Sequence, residues 1–145
     1  YRFAPDWKEE HVRTHLGQTS GILQADGYKG YAKLYDPGPD GTARFREAAC
    51  WAHLRRKFYE LHTAGSSIIA SQTVELMAPL WSVEEKVRGQ EPVARMSARQ
   101  ETSAAIVTAL FALWEKELPK LSGKSKPAET IRYALNRRTV KAGCP

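Results

Sequence analysis

Gly21-Ile22-Leu23-Gln24-Ala25-Asp26-Gly27-Tyr28, read with Ala49-Cys50-Trp51-Ala52-His53-Leu54-Arg55-Arg56-Lys57-Phe58 about twenty residues later, decides how this chain is understood. The first run is apolar, meets one acid and turns through glycine. It predicts a buried strand from Gly21 to Ala25 that delivers Asp26 to its C-terminal end. The second run is apolar and then becomes the start of a basic, aromatic helix. An acid at a strand tip beside a basic helix points to metal and phosphate chemistry.

Upstream of that pair, Tyr1 to Ala4 reads as the end of a strand, broken by Pro5. Asp6 is placed to cap a short helix, with Glu9 three residues on as its capping-box partner. That helix carries Trp7, Val12 and Leu16 and stops near Gly17. Between the two runs, Tyr28, Tyr31, Ala32 and Tyr35 recur at helical spacing and predict a second short helix. The turn formers of Asp36-Pro37-Gly38-Pro39-Asp40-Gly41 make a loop. Ala43 to Cys50 predicts another strand. From Trp51 a helix follows, with Leu54, Phe58 and Leu61 on one face, and Ala64 to Ser67 breaks it. Strands alternating with helices place this part in the α/β class.

After Ser67 the pattern is helical alone. Leu76, Leu80, Val83 and Val87 form one stripe of an amphipathic helix, which Gly89-Gln90-Glu91-Pro92 ends. A second helix runs from about Val93 to Leu118, with Ile106, Leu110, Leu113, Trp114, Leu118 and Leu121 facing one way. Two long helices joined by a short turn predict an antiparallel hairpin. Trp81 and Trp114 lie on the apolar faces and are expected in the core. Ser122 to Pro127 is a polar linker. Ala128 to Arg138 predicts a last helix that buries Ile131 and Leu135, and Thr139 to Pro145 has no periodicity and reads as a frayed tail.

The whole chain has 145 residues, 42% hydrophobic and 26% charged, enough for a sizeable core. Its net charge of +6 permits an anionic partner such as nucleic acid. The stretch from Lys116 to Pro145 is the more basic end, with eight Lys or Arg against two Glu. Two cysteines, Cys50 and Cys144, make no disulfide framework, and a reducing cytoplasm is the expected setting. No apolar run approaches the ~20 residues that span a bilayer. No signal peptide is visible. The chain begins without Met, in what reads as mid-strand, so it is expected to be a piece of a longer protein.

Four features carry chemistry, each beside a plainer reading. Asp26 at a strand end is placed to ligate Mg²⁺ through hard oxygen donors, and equally to begin the turn at Gly27. Cys50 and His53 have the spacing Cys-x-x-His, but zinc needs about four such ligands and the other histidines, His11, His15 and His62, have no cysteine near them. The plainer reading packs Cys50 in the core and leaves His53 to hydrogen-bond near the strand end, with a role beside a metal or phosphate open. Arg55, Arg56 and Lys57 are either contacts to a phosphodiester backbone or a solvated helix face. Gly123-Lys124-Ser125 lacks the first glycine of a P-loop and any preceding strand, so it binds no nucleotide.

Taken together, Gly21 to Tyr31, Glu47 to Phe58, Leu121 to Ser125 and Ile131-Arg132-Tyr133-Ala134-Leu135-Asn136-Arg137 resemble a bacterial insertion-sequence transposase of the IS66 type. The resemblance runs from about Phe3 to Arg137, and the block Cys50 to Phe58 is its most specific part. It implies a ribonuclease-H-like core in which three acids, Asp, Asp and Glu, hold two divalent metals, Mg²⁺ or Mn²⁺. Asp26 matches the middle acid and becomes the expected metal ligand and catalytic residue. Cys50 and His53 match the family's Cys-x-x-His, with His53 a second catalytic candidate. The first Asp and the Glu of the pattern are not matched in this chain. After Arg137 the residues leave the family pattern, which is expected to reflect a frameshift or early stop in a decayed element.

The fold so implied is α/β, a partial ribonuclease-H-like core with an all-helical insertion hairpin. Residues 1–66 carry the core with the second acid, 67–121 the insertion, 122–138 a linker and returning helix, and 139–145 a divergent tail. The implied partners are DNA (transposon ends and target) and a second copy of the chain, in the cytoplasm and away from membranes. The implied chemistry is strand cutting followed by strand joining. With one acid of three, the fragment is expected to be inactive alone and to hold metal weakly. The rival readings are a non-catalytic helical module that binds DNA or protein, or a folded remnant with no function.

Overall fold

A computed structural model of the chain describes residues 4–6, 8–17, 19–65 and 67–138. It divides into two units, Tyr1–Cys50 and Trp51–Pro145. The strand expected at Tyr1 to Phe3, Trp7 and the tail expected at Thr139 to Pro145 lie outside the described residues.

In the first unit, helix α1 spans Glu9–Leu16, strand β1 Gly21–Ala25, a 3₁₀ turn Lys29–Leu34 and strand β2 Phe45–Ala49. β1 and β2 pair in parallel, with Gly21 opposite Phe45 and Ala25 opposite Ala49. The ladder continues one step, because Cys50 N–H donates to Ala25 O at 3.0 Å. A parallel pair needs a crossover, here supplied by the 3₁₀ turn and the loop to Ala43. That loop closes on itself: Pro37 bridges Ala43, and Gly38 N–H donates to Thr42 O at 3.0 Å.

Three expectations need correction here. β1 forms where expected but is not buried: Gly21, Ile22 and Gln24 are exposed, Ile22 by 51%. Parallel strands are usually covered on both faces. In this ladder the cover falls on β2, where Phe45, Ala48 and Ala49 are buried. The helix expected from Tyr28 to Tyr35 is instead a tight 3₁₀ turn, which buries only Gly30 and Leu34. A methyl at Gly30 would run into the Tyr28 ring, which would have to shift to admit it. Finally, Asp6 does not cap α1. The helix starts at Glu9 with Lys8 at its cap position and no side-chain cap. The Asp6 carboxylate accepts from Lys8 N–H at 3.2 Å, closing a turn ahead of the helix. Glu9 pairs with Lys33 at 3.3 Å, not with Asp6.

The second unit is helical: α2 (Trp51–Thr63), α3 (Ile68–Lys86), α4 (Pro92–Ala98), a π-helical turn (Arg99–Ser103), α5 (Ala104–Glu117), a 3₁₀ turn (Leu118–Lys120) and α6 (Lys126–Leu135). Ser67 caps α3 and Ser125 caps α6, each hydroxyl accepting the N–H three residues on. Leu54, Phe58, Ile69, Ala70, Met77, Leu110, Phe111, Trp114, Ile131 and Ala134 form one buried cluster. Trp114 is its centre. Its ring stacks on Phe58 at 5.5 Å and meets Phe111 edge-on at 5.3 Å. Its indole N–H donates to Thr73 Oγ1 at 3.0 Å, so the polar edge is satisfied inside the core.

The hairpin of α3 against α5 and the burial of Trp114 agree with the sequence pattern. The second helix runs on from Pro92 to Glu117 as expected, widened at Arg99–Ser103 into a π-helical turn. Of the stripe expected on α3, Val83 and Val87 are buried, while Leu76 and Leu80 are half-buried against the core and the fully buried row continues through Met77, Thr73, Ala70 and Ile69. Trp81, expected in the core, falls at the edge of that row and is 38% exposed. On α6, Ile131 is buried as expected, Leu135 is half-buried, and Ala128 and Ala134 face inward beside Ile131.

Candidate functional site

Asp26 directly follows the last residue of β1. Its position rests on two local devices. Gly27 takes φ +86°, a conformation that side-chain-bearing residues rarely adopt, and so turns the chain immediately after the acid. Asp26 Oδ1 accepts Tyr28 N–H at 3.2 Å, which fixes the carboxylate over that turn. The two readings of Asp26 are therefore compatible: it begins a turn, and it is an exposed carboxylate at a strand tip.

The strand that carries Asp26 is held at its start by a residue the sequence pattern did not single out. Arg44 Nη2 donates to Leu16 O at 3.2 Å, Gly17 O at 2.6 Å and Thr19 O at 2.7 Å. The guanidinium thus closes the C-terminal end of α1, where carbonyls have no helical partner and a cation suits the dipole. Gly21 N–H donates to Arg44 O at 3.0 Å, which ties the same residue to β1.

The other candidates lie on α2, in the second unit. Arg56 is exposed, and His53, Arg55 and Lys57 are half-buried. They split by helical spacing into two flanks. Arg55 and Tyr59 share one flank, and the Arg55 guanidinium lies 5.4 Å from the Tyr59 ring centre and 5.2 Å from that of Trp81. His53 and Lys57 share the other, beside Tyr133 of α6. The His53 and Tyr133 rings are 6.3 Å apart, and Lys57 Nζ is 5.5 Å from the Tyr133 ring centre. Arg137, one turn beyond Tyr133, lies 4.4 Å from the same ring. Cys50, expected in the core, is the last residue of the first unit and is half-buried, in no disulfide among the described residues. Among the described residues no group of three or more His, Cys, Asp and Glu is placed to hold a metal ion. Among them also, no helix is long and apolar enough to cross a membrane.

Tyr133, Arg137 and Trp81 were not assigned to a site from sequence. The i, i+4 spacing of Tyr133 and Arg137 is visible in the chain. Their meeting with Lys57 is not, because it depends on how α6 packs on α2.

The family model described as "Transposase IS66 family" matches residues 1–140. The chain belongs to the IS66 family of transposases. It is 51% identical over 142 residues to a Sinorhizobium fredii (strain NBRC 101917 / NGR234) protein named "Uncharacterized protein y4qI", covering 95% of this chain and 26% of that one. Two further proteins of the same strain, y4jD and y4hP, are 32% and 31% identical, covering 93% and 94% of this chain and 27% of each relative. The IS66 segment thus spans about a quarter of the length of the curated relatives it matches. No solved structure matches it.

Proposed function

We propose that this chain is a segment of the catalytic region of an IS66 transposase, in which Asp26 is the second of three metal-binding acids and Arg55, Arg56 and Lys57 contact DNA. The observation that carries the reading is Asp26 at the C-terminal tip of a parallel strand, aimed by the turn at Gly27 and exposed. Under this reading β1 and β2 belong to a ribonuclease-H-like sheet whose other strands, first Asp and Glu lie in the rest of the longer protein. Residues 1–66 then form part of the catalytic core, 67–121 a helical insertion and 122–138 the return to that core. The full protein cuts DNA at transposon ends and joins the freed ends to a target, acting in the cytoplasm and able to self-associate.

The described residues do not by themselves make a site for two divalent ions. One carboxylate is present at the strand tip, and cations ~4 Å apart repel too strongly for one Asp to hold them. Mg²⁺ or Mn²⁺ is therefore assigned to the complete protein, where Asp26 would contribute one of several oxygen donors. His53 is kept as a candidate catalytic residue; its ring lies in the α2–α6 cluster around Tyr133.

The test is excision and integration by a full-length transposase that carries this segment. Asp26→Asn removes the charge and keeps the shape. Transposition falls at least 100-fold, the scale of about 3 kcal/mol in barrier, while DNA binding is retained. Wild-type transposition by Asp26→Asn would remove the acid from the mechanism.

A further inference from the structure

The second unit hides most of its aromatic surface. Phe58, Phe111 and Trp114 are buried together at its centre. Two rings are placed otherwise. Among the described residues of this unit, Tyr59 of α2 and Trp81 of α3 are the aromatic side chains left exposed, by 44% and 38%. Both lie against the same cation: the Arg55 guanidinium is 5.4 Å from the Tyr59 ring centre and 5.2 Å from that of Trp81. Among the described residues no carboxylate pairs with Arg55, whereas Arg99 pairs with Glu84, Lys120 with Glu117 and Arg138 with Glu115. A ring face steers a cation but leaves its charge uncancelled. Arg56, exposed and three residues before Tyr59, borders the same flank of α2.

We infer that the α2–α3 surface formed by Tyr59, Arg55 and Trp81 is a stacking site for the unpaired bases of single-stranded DNA, with Arg55 and Arg56 as contacts to its backbone. The inference rests on the transposase reading for the class of polyanion, and it adds the state of DNA that this face takes. Three arguments select the occupant. An aromatic face accepts any base by stacking, without reading its hydrogen-bonding edge. Bases inside a duplex are already covered on both faces by their neighbours, so only an unpaired base can use the rings. An apolar protein segment laid over the same rings would bury the Arg55 guanidinium without a counter-charge, which is costly. A single strand instead brings flat π faces and phosphates together. Arg55, already laid against two rings, also loses less rotamer freedom on binding than an unsupported side chain.

The test is fluorescence anisotropy of a labelled oligothymidine, and of a labelled duplex of equal length, against the 145-residue chain over a NaCl series. Tyr59→Ala and Trp81→Ala each weaken oligothymidine binding about tenfold and leave duplex binding at the wild-type level. Neither aromatic variant changes the slope of log affinity against log salt, because no charge is removed, whereas Arg55→Gln lowers that slope by about 0.7 for the single strand. Trp81→Phe, which keeps a ring, recovers most of the lost affinity. Far-UV circular dichroism of each variant matches wild type, because neither ring belongs to the buried cluster. Wild-type oligothymidine affinity in both alanine variants would overturn the stacking site and leave the transposase reading intact. Equal losses for single strand and duplex would also overturn it, because the rings would then serve binding in general. Self-association that Trp81→Ala abolishes, with oligothymidine affinity unchanged, would assign the rings to an interface between copies instead. Failure of the wild-type chain to bind either DNA at low salt would overturn both the stacking site and the proposed DNA contacts of α2.

Discussion

The two units reach their folds by opposite means. The helical unit buries a stacked aromatic centre, Phe58 on Trp114 with Phe111 across the edge, and closes its single polar edge with Thr73. The strand unit has an α1 with no buried residue and a β1 that is mostly exposed. Its burial is confined largely to Leu34 and to Phe45, Ala48 and Ala49 of β2, and the rest is held by a ladder, an Asp-led turn and the three carbonyl bonds of Arg44. Packing energy therefore stabilises the surface assigned to DNA, and directional hydrogen bonds aim the candidate acid. Apolar burial is roughly proportional to area, whereas one hydrogen bond adds only ~1 kcal/mol net, so the two units differ in how they fail.

The largest effect follows from removing the aromatic centre. Trp114→Ala takes away both ring contacts and leaves Thr73 without its donor, and about 3–5 kcal/mol of stability is lost. Thermal unfolding followed at 222 nm falls well below wild type. A small shift would mean that Phe58 and Phe111 collapse to fill the space, and that the helical core is softer than its packing implies.

Arg44→Ala is the corresponding break in the strand unit. Three carbonyls near the end of α1 lose a partner at an exposed site, with a cost of about 1–2 kcal/mol. Hydrogen exchange between Leu16 and Ala25 speeds by about tenfold, with no change in the core amides of α5. Unchanged exchange in β1 would show that the ladder to β2 suffices to hold the strand.

The smallest effect concerns Glu84, which tethers α3 to the π-helical turn through a paired contact: Arg99 Nε donates to Oε1 at 2.7 Å and Nη2 to Oε2 at 2.8 Å. The hydrogen bonds of Arg99 hold the Glu84 carboxyl below its ordinary value of 4.5. A carboxylate with a depressed folded pKa stabilises above the unfolded value and loses that contribution as pH falls through the folded one. The pair is largely solvated, so Glu84→Gln costs at most about 1 kcal/mol at pH 7. The gap in melting temperature between wild type and variant closes as the pH is lowered from 4.5 through the acid range. A gap that persists at the lowest pH would place the effect in packing and not in charge.

These differences also explain what the sequence could convey. Trp114, Phe58 and the α3–α5 hairpin were legible because amphipathic periodicity records which face is buried. Asp26 at the end of a strand was legible from an apolar run closed by Asp-Gly. The exposure of β1 was not, because an apolar pentapeptide looks the same whether covered or open. Trp81 was misplaced because an apolar ring reads the same at the edge of a buried row as inside it, and here it is 38% exposed. Asp6 and Glu9 have capping-box spacing, yet Lys8 N–H engages Asp6 first. Arg44 and Tyr133 went unnoticed because their partners, the carbonyls near the end of α1 and the cations of α2, are distant in sequence.

The most direct test incubates the chain with supercoiled plasmid and Mg²⁺ or Mn²⁺, and follows both mobility and topology. With a grip on DNA backbone and one acid of a multi-acid site, the segment retards plasmid at low salt, releases it as salt rises and leaves it supercoiled. Nicked circles that appear only with the metal and vanish in Asp26→Ala would contradict this, because they would show that the segment holds a working metal site by itself.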